Sequence, residues 1–86
     1  MSSWRQYLVE SDELAAAARG HAQATAEFHR QLVELYGRPA KTHEDWTTIS
    51  QLIITTRAGY DRATVLATLA NRAATIADTL ERNEHR

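Results

Sequence analysis

The sequence predicts an all-α protein, a three-helix bundle in which one long N-terminal helix packs against a C-terminal helical hairpin. Apolar residues recur at intervals of three and four over most of the chain, which is the spacing of one helix face. Alanine occurs 15 times, and alanine both favours helix and lets helix axes approach closely. A chain of 86 residues provides one small core, so we expect a single helical domain over residues 1–86.

The first predicted helix covers about residues 3–36. Ser3 with Gln6 forms a capping box at its start, and Gly37 followed by Pro39 is a typical stop signal. Ser11, followed by two acidic residues, is a second start signal, so a short helix and a longer one from residue 12 is the alternative. The stripe of this helix consists of Trp4, Tyr7, Ser11, Leu14, Ala18, His21, Thr25, Phe28, Leu32 and Leu35.

The second predicted helix covers residues 43–58. Thr42 and Asp45 form a capping box immediately before it. Seven of the ten residues in 47–56 are β-branched, a composition that favours a strand. No partner strand is evident elsewhere, and a single strand cannot satisfy its backbone hydrogen bonds, so we predict a helix that depends on tertiary packing.

The third predicted helix covers residues 61–83, with a turn at Gly59 and Asp61 as its N-cap. In an unbroken helix from His43, the heptad spacing from Trp46 would continue onto the alanines rather than onto the leucines of this segment. This shift in phase supports a turn at Gly59. The large stripe consists of Leu66, Leu69, Ala73, Ile76 and Leu80, and a second stripe consists of Ala63, Ala67, Ala70, Ala74 and Ala77. A helix with two such stripes is expected to touch two neighbours.

Composition excludes several classes of protein. The chain has no cysteine, so it has neither disulfides nor zinc–thiolate sites. Its net charge of −1 gives no footprint for nucleic acid or anionic lipid. No apolar run is long enough to span a membrane and no signal-peptide pattern is evident, so we expect a cytoplasmic protein. His21 and His29 are eight residues apart, too far to share a metal within one helix, and we expect no metal or cofactor.

Residues 58–65 resemble the turn and the start of the recognition helix in bacterial helix-turn-helix repressors. The resemblance implies a DNA-binding transcriptional regulator that reads DNA with the helix starting at Asp61. Residues 43–86 contain five arginines and six acidic residues, however, so their charge provides no basic surface for phosphate binding. We therefore keep DNA binding as the alternative. The candidate DNA-binding residues are Arg62, Thr64, Thr68, Asn71 and Arg72.

The segment from His43 to Thr47 resembles the H-E-x-x-T pattern of the phospho-accepting helix in two-component histidine kinases. The match covers five residues at a helix start. A simpler interpretation is a polar helix N-terminus in which Glu44 and Asp45 complement the helix dipole. We therefore expect neither phosphotransfer nor another enzymatic activity.

The leading hypothesis for function is a small non-enzymatic protein-interaction module, such as an adaptor, an inhibitor or a phage-type regulator. A 34-residue helix is about 50 Å long, more than one small globule needs. Its apolar stripe therefore exceeds one core, and we expect homodimerisation rather than a lone chain. His21 and Thr25 lie on this stripe, either as a locally satisfied polar pair or as residues that set the register of an interface. The candidate interface residues are Trp4, Leu14, His21, Phe28, Leu32 and Trp46.

Overall fold

The computed structural model describes residues 4–85 and consists of two α-helices packed as an antiparallel hairpin. Helix α1 spans Trp4–Tyr36 and helix α2 spans His43–Glu84. The molecule measures 67 × 16 × 14 Å. A 42-residue helix is about 63 Å long, so α2 alone extends over the whole molecule. The all-α prediction is confirmed, and the prediction of three helices is wrong.

Helix α1 agrees with the predicted long N-terminal helix. It runs through Ser11 without interruption, so the alternative of a second helix from residue 12 is wrong. The predicted cap at Ser3 lies outside the described residues. The helix ends where the Gly37 N–H donates to the Val33 carbonyl at 3.0 Å and the Arg38 N–H donates to the Leu35 carbonyl at 3.3 Å. These bonds satisfy two of the last carbonyls of the helix.

Helix α2 begins at His43 as predicted, with the expected capping box. The Asp45 N–H donates to Thr42 Oγ1 at 3.1 Å, and the Thr42 N–H donates to Asp45 Oδ2 at 2.9 Å. Two donors that would otherwise lack a partner are thereby satisfied. The β-branched segment that follows is helical, and the Thr47 hydroxyl donates to the His43 carbonyl one turn back at 3.1 Å.

The predicted turn at Gly59 is absent, because α2 continues through it. Within residues 4–85 no glycine has a positive φ, so Gly59 has ordinary helical backbone. Asp61 lies exposed in the interior of the helix and caps nothing. The segments 43–58 and 61–83 are therefore parts of one helix.

The two helices meet along a seam with alternating three- and four-residue steps, the spacing of a coiled coil. In α2 the seam consists of Ile49, Leu52, Thr56, Gly59, Ala63, Leu66, Ala70, Ala73, Ala77 and Leu80. This set continues without a phase shift across Gly59, onto alanines rather than onto Leu69 and Ile76. The predicted turn was wrong because it assigned the larger residues, Leu69 and Ile76 among them, to the side of the helix that faces the core. Between Leu52 and Leu80 most seam positions of α2 are small, and these small residues let the two helices approach closely.

Aromatic and cationic side chains fasten the connection between the helices. The rings of Tyr36 and Trp46 meet edge to face, with their centroids 6.2 Å apart. The Lys41 ammonium lies 5.2 Å from the Tyr36 ring and 5.4 Å from the Trp46 ring, and it donates to the Arg38 carbonyl at 2.8 Å. Both ring contacts fall within cation–π range and hold the connection against the end of the hairpin.

Within the part of the chain that the structure describes, neither helix is long and apolar enough to cross a membrane.

Candidate interaction surface

The hairpin buries little of its apolar surface. Among the large apolar side chains of residues 4–85, Ile49 is the only one that is buried, at 2% exposure. The other buried apolar residues are alanines. A group of large apolar side chains is instead exposed to solvent: Leu8, Val9, Phe28, Val33, Tyr36, Trp46, Ile53, Ile54, Tyr60, Val65, Leu69 and Ile76.

Many of these residues share one side of the hairpin, which we call the apolar face. It is formed by two rows with seven-residue spacing, one on each helix beside the seam. The row on α1 consists of Leu8, Ala15, Ala22, His29 and Tyr36, and the row on α2 consists of Trp46, Ile53, Tyr60, Ala67, Ala74 and, near the end of the helix, Glu81. Seven residues are close to two helical turns, so each row stays on one side of its helix.

Contacts between the rows show that both face the same side. The Tyr36 ring meets the Trp46 ring, as described above. Further along, His29, one heptad from Tyr36, meets Tyr60, two heptads from Trp46. Their rings lie edge to face at 5.9 Å, and His29 Nδ1 is 3.2 Å from the Tyr60 hydroxyl. The apolar face is thus continuous from the connection to the middle of the hairpin.

Two open grooves mark the apolar face. The first, of about 510 Å³, lies near the connection and is lined by Leu32, Val33, Tyr36, Gly37 and Ile53. Every side chain in this lining is apolar or aromatic. The second, of about 470 Å³, lies at mid-length and is lined mainly by small residues: Ala18, Arg19, Ala22, Tyr60, Ala63, Thr64 and Ala67. The face is therefore bulky towards the connection and small beyond its middle.

The opposite side of the hairpin is polar near the connection. Its groove there, of about 330 Å³, includes four charged residues, and its lining consists of Gln31, Glu34, Leu35, Arg38, Glu44, Asp45, Thr48 and Leu52. The two sides of the connection end thus differ in polarity, although the opposite side carries the exposed side chains of Leu69 and Ile76 further along.

An ion-pair network lies on the outer surface of α1. Arg30 contacts Glu27 at 2.7 Å and Glu34 at 3.2 Å. The hydrogen bond that Arg30 donates to Glu27 lowers the pKa of the Glu27 carboxyl and raises the pKa of the Arg30 guanidinium. All three side chains are exposed and lie on one helix, so the network is a local stabilising pattern along α1.

The predicted interface residues divide between the seam and the surface. Trp4, Leu14, His21 and Leu32 are half-buried along the seam, where they contribute to contact within the hairpin. Trp46 is 49% exposed and belongs to the apolar face.

Phe28 belongs to the seam stripe of α1, yet it remains 40% exposed. Thr25 is buried, and its hydroxyl donates to the backbone carbonyl of His21 at 2.6 Å, so the Thr25 hydroxyl is satisfied within its own helix.

Four of the five candidate DNA-binding residues, Thr64, Thr68, Asn71 and Arg72, share one side of α2, and Arg62 lies apart from them. All five are exposed, but Arg62 and Asn71 are nine residues apart in a continuous helix and point to opposite sides of it. Arg62 lines a groove beside His21, whereas Thr64 lines the mid-length groove of the apolar face. The Thr64 and Thr68 hydroxyls donate to carbonyls one turn back, both at 2.9 Å. Because α2 continues through Gly59, the helix-turn-helix alternative lacks the turn on which it depends.

His43 lies exposed at the first turn of α2. The carboxylate of Asp45 accepts from the Thr42 N–H in the capping box, so this acidic neighbour serves the helix cap. No group of three metal-binding side chains is present in residues 4–85.

Sequence reasoning identified Trp46 but missed its row partners Ile53 and Tyr60. The signal was the seven-residue spacing from Trp46 to Ala74. That spacing has meaning only in a continuous helix, and the expected turn at Gly59 concealed it.

A comparison of the chain with protein-family models, with curated proteins and with solved structures finds no match.

Proposed function

We propose that this chain is a non-enzymatic protein-interaction module that binds another polypeptide through its apolar face. The observation that carries the proposal is the groove near the connection, which is lined by Leu32, Val33, Tyr36, Gly37 and Ile53. Burial of such a surface contributes roughly 25 cal/mol for each Å² removed from water, so a partner that covers it gains affinity.

The shape of the face indicates the kind of polypeptide that fits it. Two antiparallel helices leave a long shallow trough between their exposed rows, and a helix with its own apolar stripe packs along such a trough. The large side chains at Trp46, Ile53 and Tyr60 would act as anchors, because aromatic and large apolar residues dominate binding energy at protein interfaces.

Neighbouring isoleucines provide a matched pair of variants. Ile53 lies on the apolar face, whereas Ile54, which is 70% exposed, points away from it. Ile53→Glu places a charge in the interface, and Ile54→Glu adds the same charge elsewhere. We expect the tagged wild-type chain and Ile54→Glu to elute from a host-cell extract as complexes larger than one chain of 9.7 kDa, and Ile53→Glu to elute as the free chain.

Circular dichroism of each variant checks that the helices persist. Elution of all three proteins at the mass of one chain, both purified and in the extract, would contradict the proposal.

A further inference from the structure

We propose that the polypeptide on the apolar face is a second copy of this chain, packed face to face with its connection at the opposite end. The inference rests on the proposed function and names the partner. It is carried by the surface area of the hairpin and by the order of large and small residues along the two rows. The product is a four-helix bundle with a two-fold axis across its middle.

The surface area of the hairpin matches what one such interface removes. A folded monomer of 9.7 kDa has an accessible surface of about 5,100 Å² by the usual scaling with mass. The hairpin exposes 6569 Å², which exceeds that value by about 1,400 Å². A standard interface buries about 800 Å² on each partner, and a face of 67 × 16 Å offers about 1,000 Å² in projection. One copy on one face is therefore sufficient to remove most of the excess.

The row on α2 is complementary to itself when reversed. It reads Trp46, Ile53, Tyr60, Ala67, Ala74, Glu81, so three large residues precede two small ones and an acidic residue near the end of the helix. With the connections at opposite ends, the two-fold axis lies between Tyr60 and Ala67. Tyr60 of one copy then faces Ala67 of the other, Ile53 faces Ala74, and Trp46 lies opposite Glu81 at each end of the bundle. Large residues opposite small ones keep the helices at one separation between these ends.

The same reversal places an apolar side chain beside the groove near the connection. Leu8 is 41% exposed and lies near the open end of the hairpin, in the α1 row. Reversal brings the Leu8 of one copy opposite His29 and beside Ile53 of the other, at the margin of the groove that Ile53 lines. An apolar side chain thus lies beside an apolar groove at each end of the bundle.

A dimer in which the connections of both copies lie at the same end lacks this pairing of large with small residues. Tyr36 of one copy would then oppose Trp46 of the other, while Ala15 would oppose Ala67 in the half away from the connection. The aromatic end would hold the helices apart, and the gap left at the alanine end would lose packing contacts. The residue order therefore favours connections at opposite ends.

Because the chain has no cysteine, disulfide formation between single-cysteine variants can test the arrangement. Purified Ile53→Cys and Ala74→Cys proteins are mixed under mild oxidation. We expect the mixed 53–74 disulfide as the main product. The control mixture, Ala15→Cys with Ala67→Cys, reports the same-end alignment, and we expect it to give less than a tenth of that yield.

Each outcome separates the two proposals. A high yield of the 15–67 disulfide, or the absence of the 53–74 disulfide, overturns the opposite-end packing of two copies. If the purified chain forms neither disulfide while an Ile53-dependent complex persists in the host extract, the second-copy inference fails and the proposed function stands. If neither the disulfides nor an Ile53-dependent complex is found, both fail.

Discussion

The Thr25 side chain of α1 lies directly against the backbone of Gly59 in α2. A Cβ added at Gly59 would lie 2.9 Å from Thr25 Cγ2 and 3.0 Å from Thr25 Cβ, closer than side chains pack. Thr25 is buried, and its hydroxyl is held by the His21 carbonyl. The helix thus retains a residue with poor helix propensity because the partner helix occupies the space of its side chain.

We predict that Gly59→Ala destabilises the hairpin and that Gly20→Ala does not. Alanine in a helix interior is favoured over glycine by up to about 1 kcal/mol, but overpacking at Gly59 costs about 1–3 kcal/mol. Gly20 has no atom within 4 Å of an added Cβ, so its substitution keeps the gain in propensity. Urea unfolding at one protein concentration measures both variants. A Gly59→Ala protein at least as stable as wild type would show that the contact with Thr25 is not tight.

Ser11→Ala is expected to weaken the packing between the helices. The Ser11 hydroxyl donates across the seam to the Ala70 carbonyl at 2.9 Å, in a partly buried position. Loss of such a bond costs about 0.5–1.5 kcal/mol. Ser50→Ala is the control, because the Ser50 hydroxyl donates to Trp46 within its own helix and is exposed. Equal midpoints of thermal unfolding for the two variants would argue against a stabilising role of the bond across the seam.

Thr56→Val is expected to stabilise the hairpin. The Thr56 hydroxyl is buried and has no hydrogen-bond partner among the described residues. Valine keeps the shape and removes a buried polar group whose unsatisfied state costs about 1–3 kcal/mol. Thr25→Val provides the comparison, since it removes a hydroxyl that is bonded to His21. We expect a higher urea midpoint for Thr56→Val and no increase for Thr25→Val. The opposite order would contradict this reading of the two hydroxyls.

Thr42→Ala is expected to fray the start of α2. It removes the acceptor for the Asp45 N–H, and loss of an N-cap side chain costs about 1 kcal/mol. Thr47→Ala removes a hydroxyl that bonds only within the helix, and we expect it to leave stability nearly unchanged. Hydrogen exchange at the amides of the first turn is the direct measurement. Unchanged protection at Asp45 in Thr42→Ala would count against the capping box.

The sequence predicts those parts of the fold that are set by local start and stop signals of helices. The stop at Gly37 and Pro39 and the capping box at Thr42 depend on residues close in sequence, and both are confirmed. The interior of α2 could not be predicted in this way. Glycine stops a helix or permits close approach of another chain, and only the position of Thr25 decides between these roles at Gly59.

The candidate site was predicted in part for a related reason. Trp46 was identified as a large apolar residue, but its membership of a face depends on helix phase over four heptads. A break at Gly59 would have separated Trp46 and Ile53 from Ala67 and Ala74. The size of the side chains was also misleading, because five of the eight buried residues among the described ones are alanines, while many larger residues are exposed.

Sedimentation equilibrium of the purified wild-type chain at tens of micromolar tests the central claim most directly. We expect a mass of twice the 9.7 kDa of one chain for the wild-type protein and for Ile54→Glu. For Ile53→Glu we expect a mass shifted towards that of one chain. A mass of one chain for the wild-type protein would contradict the claim that a second copy covers the apolar face.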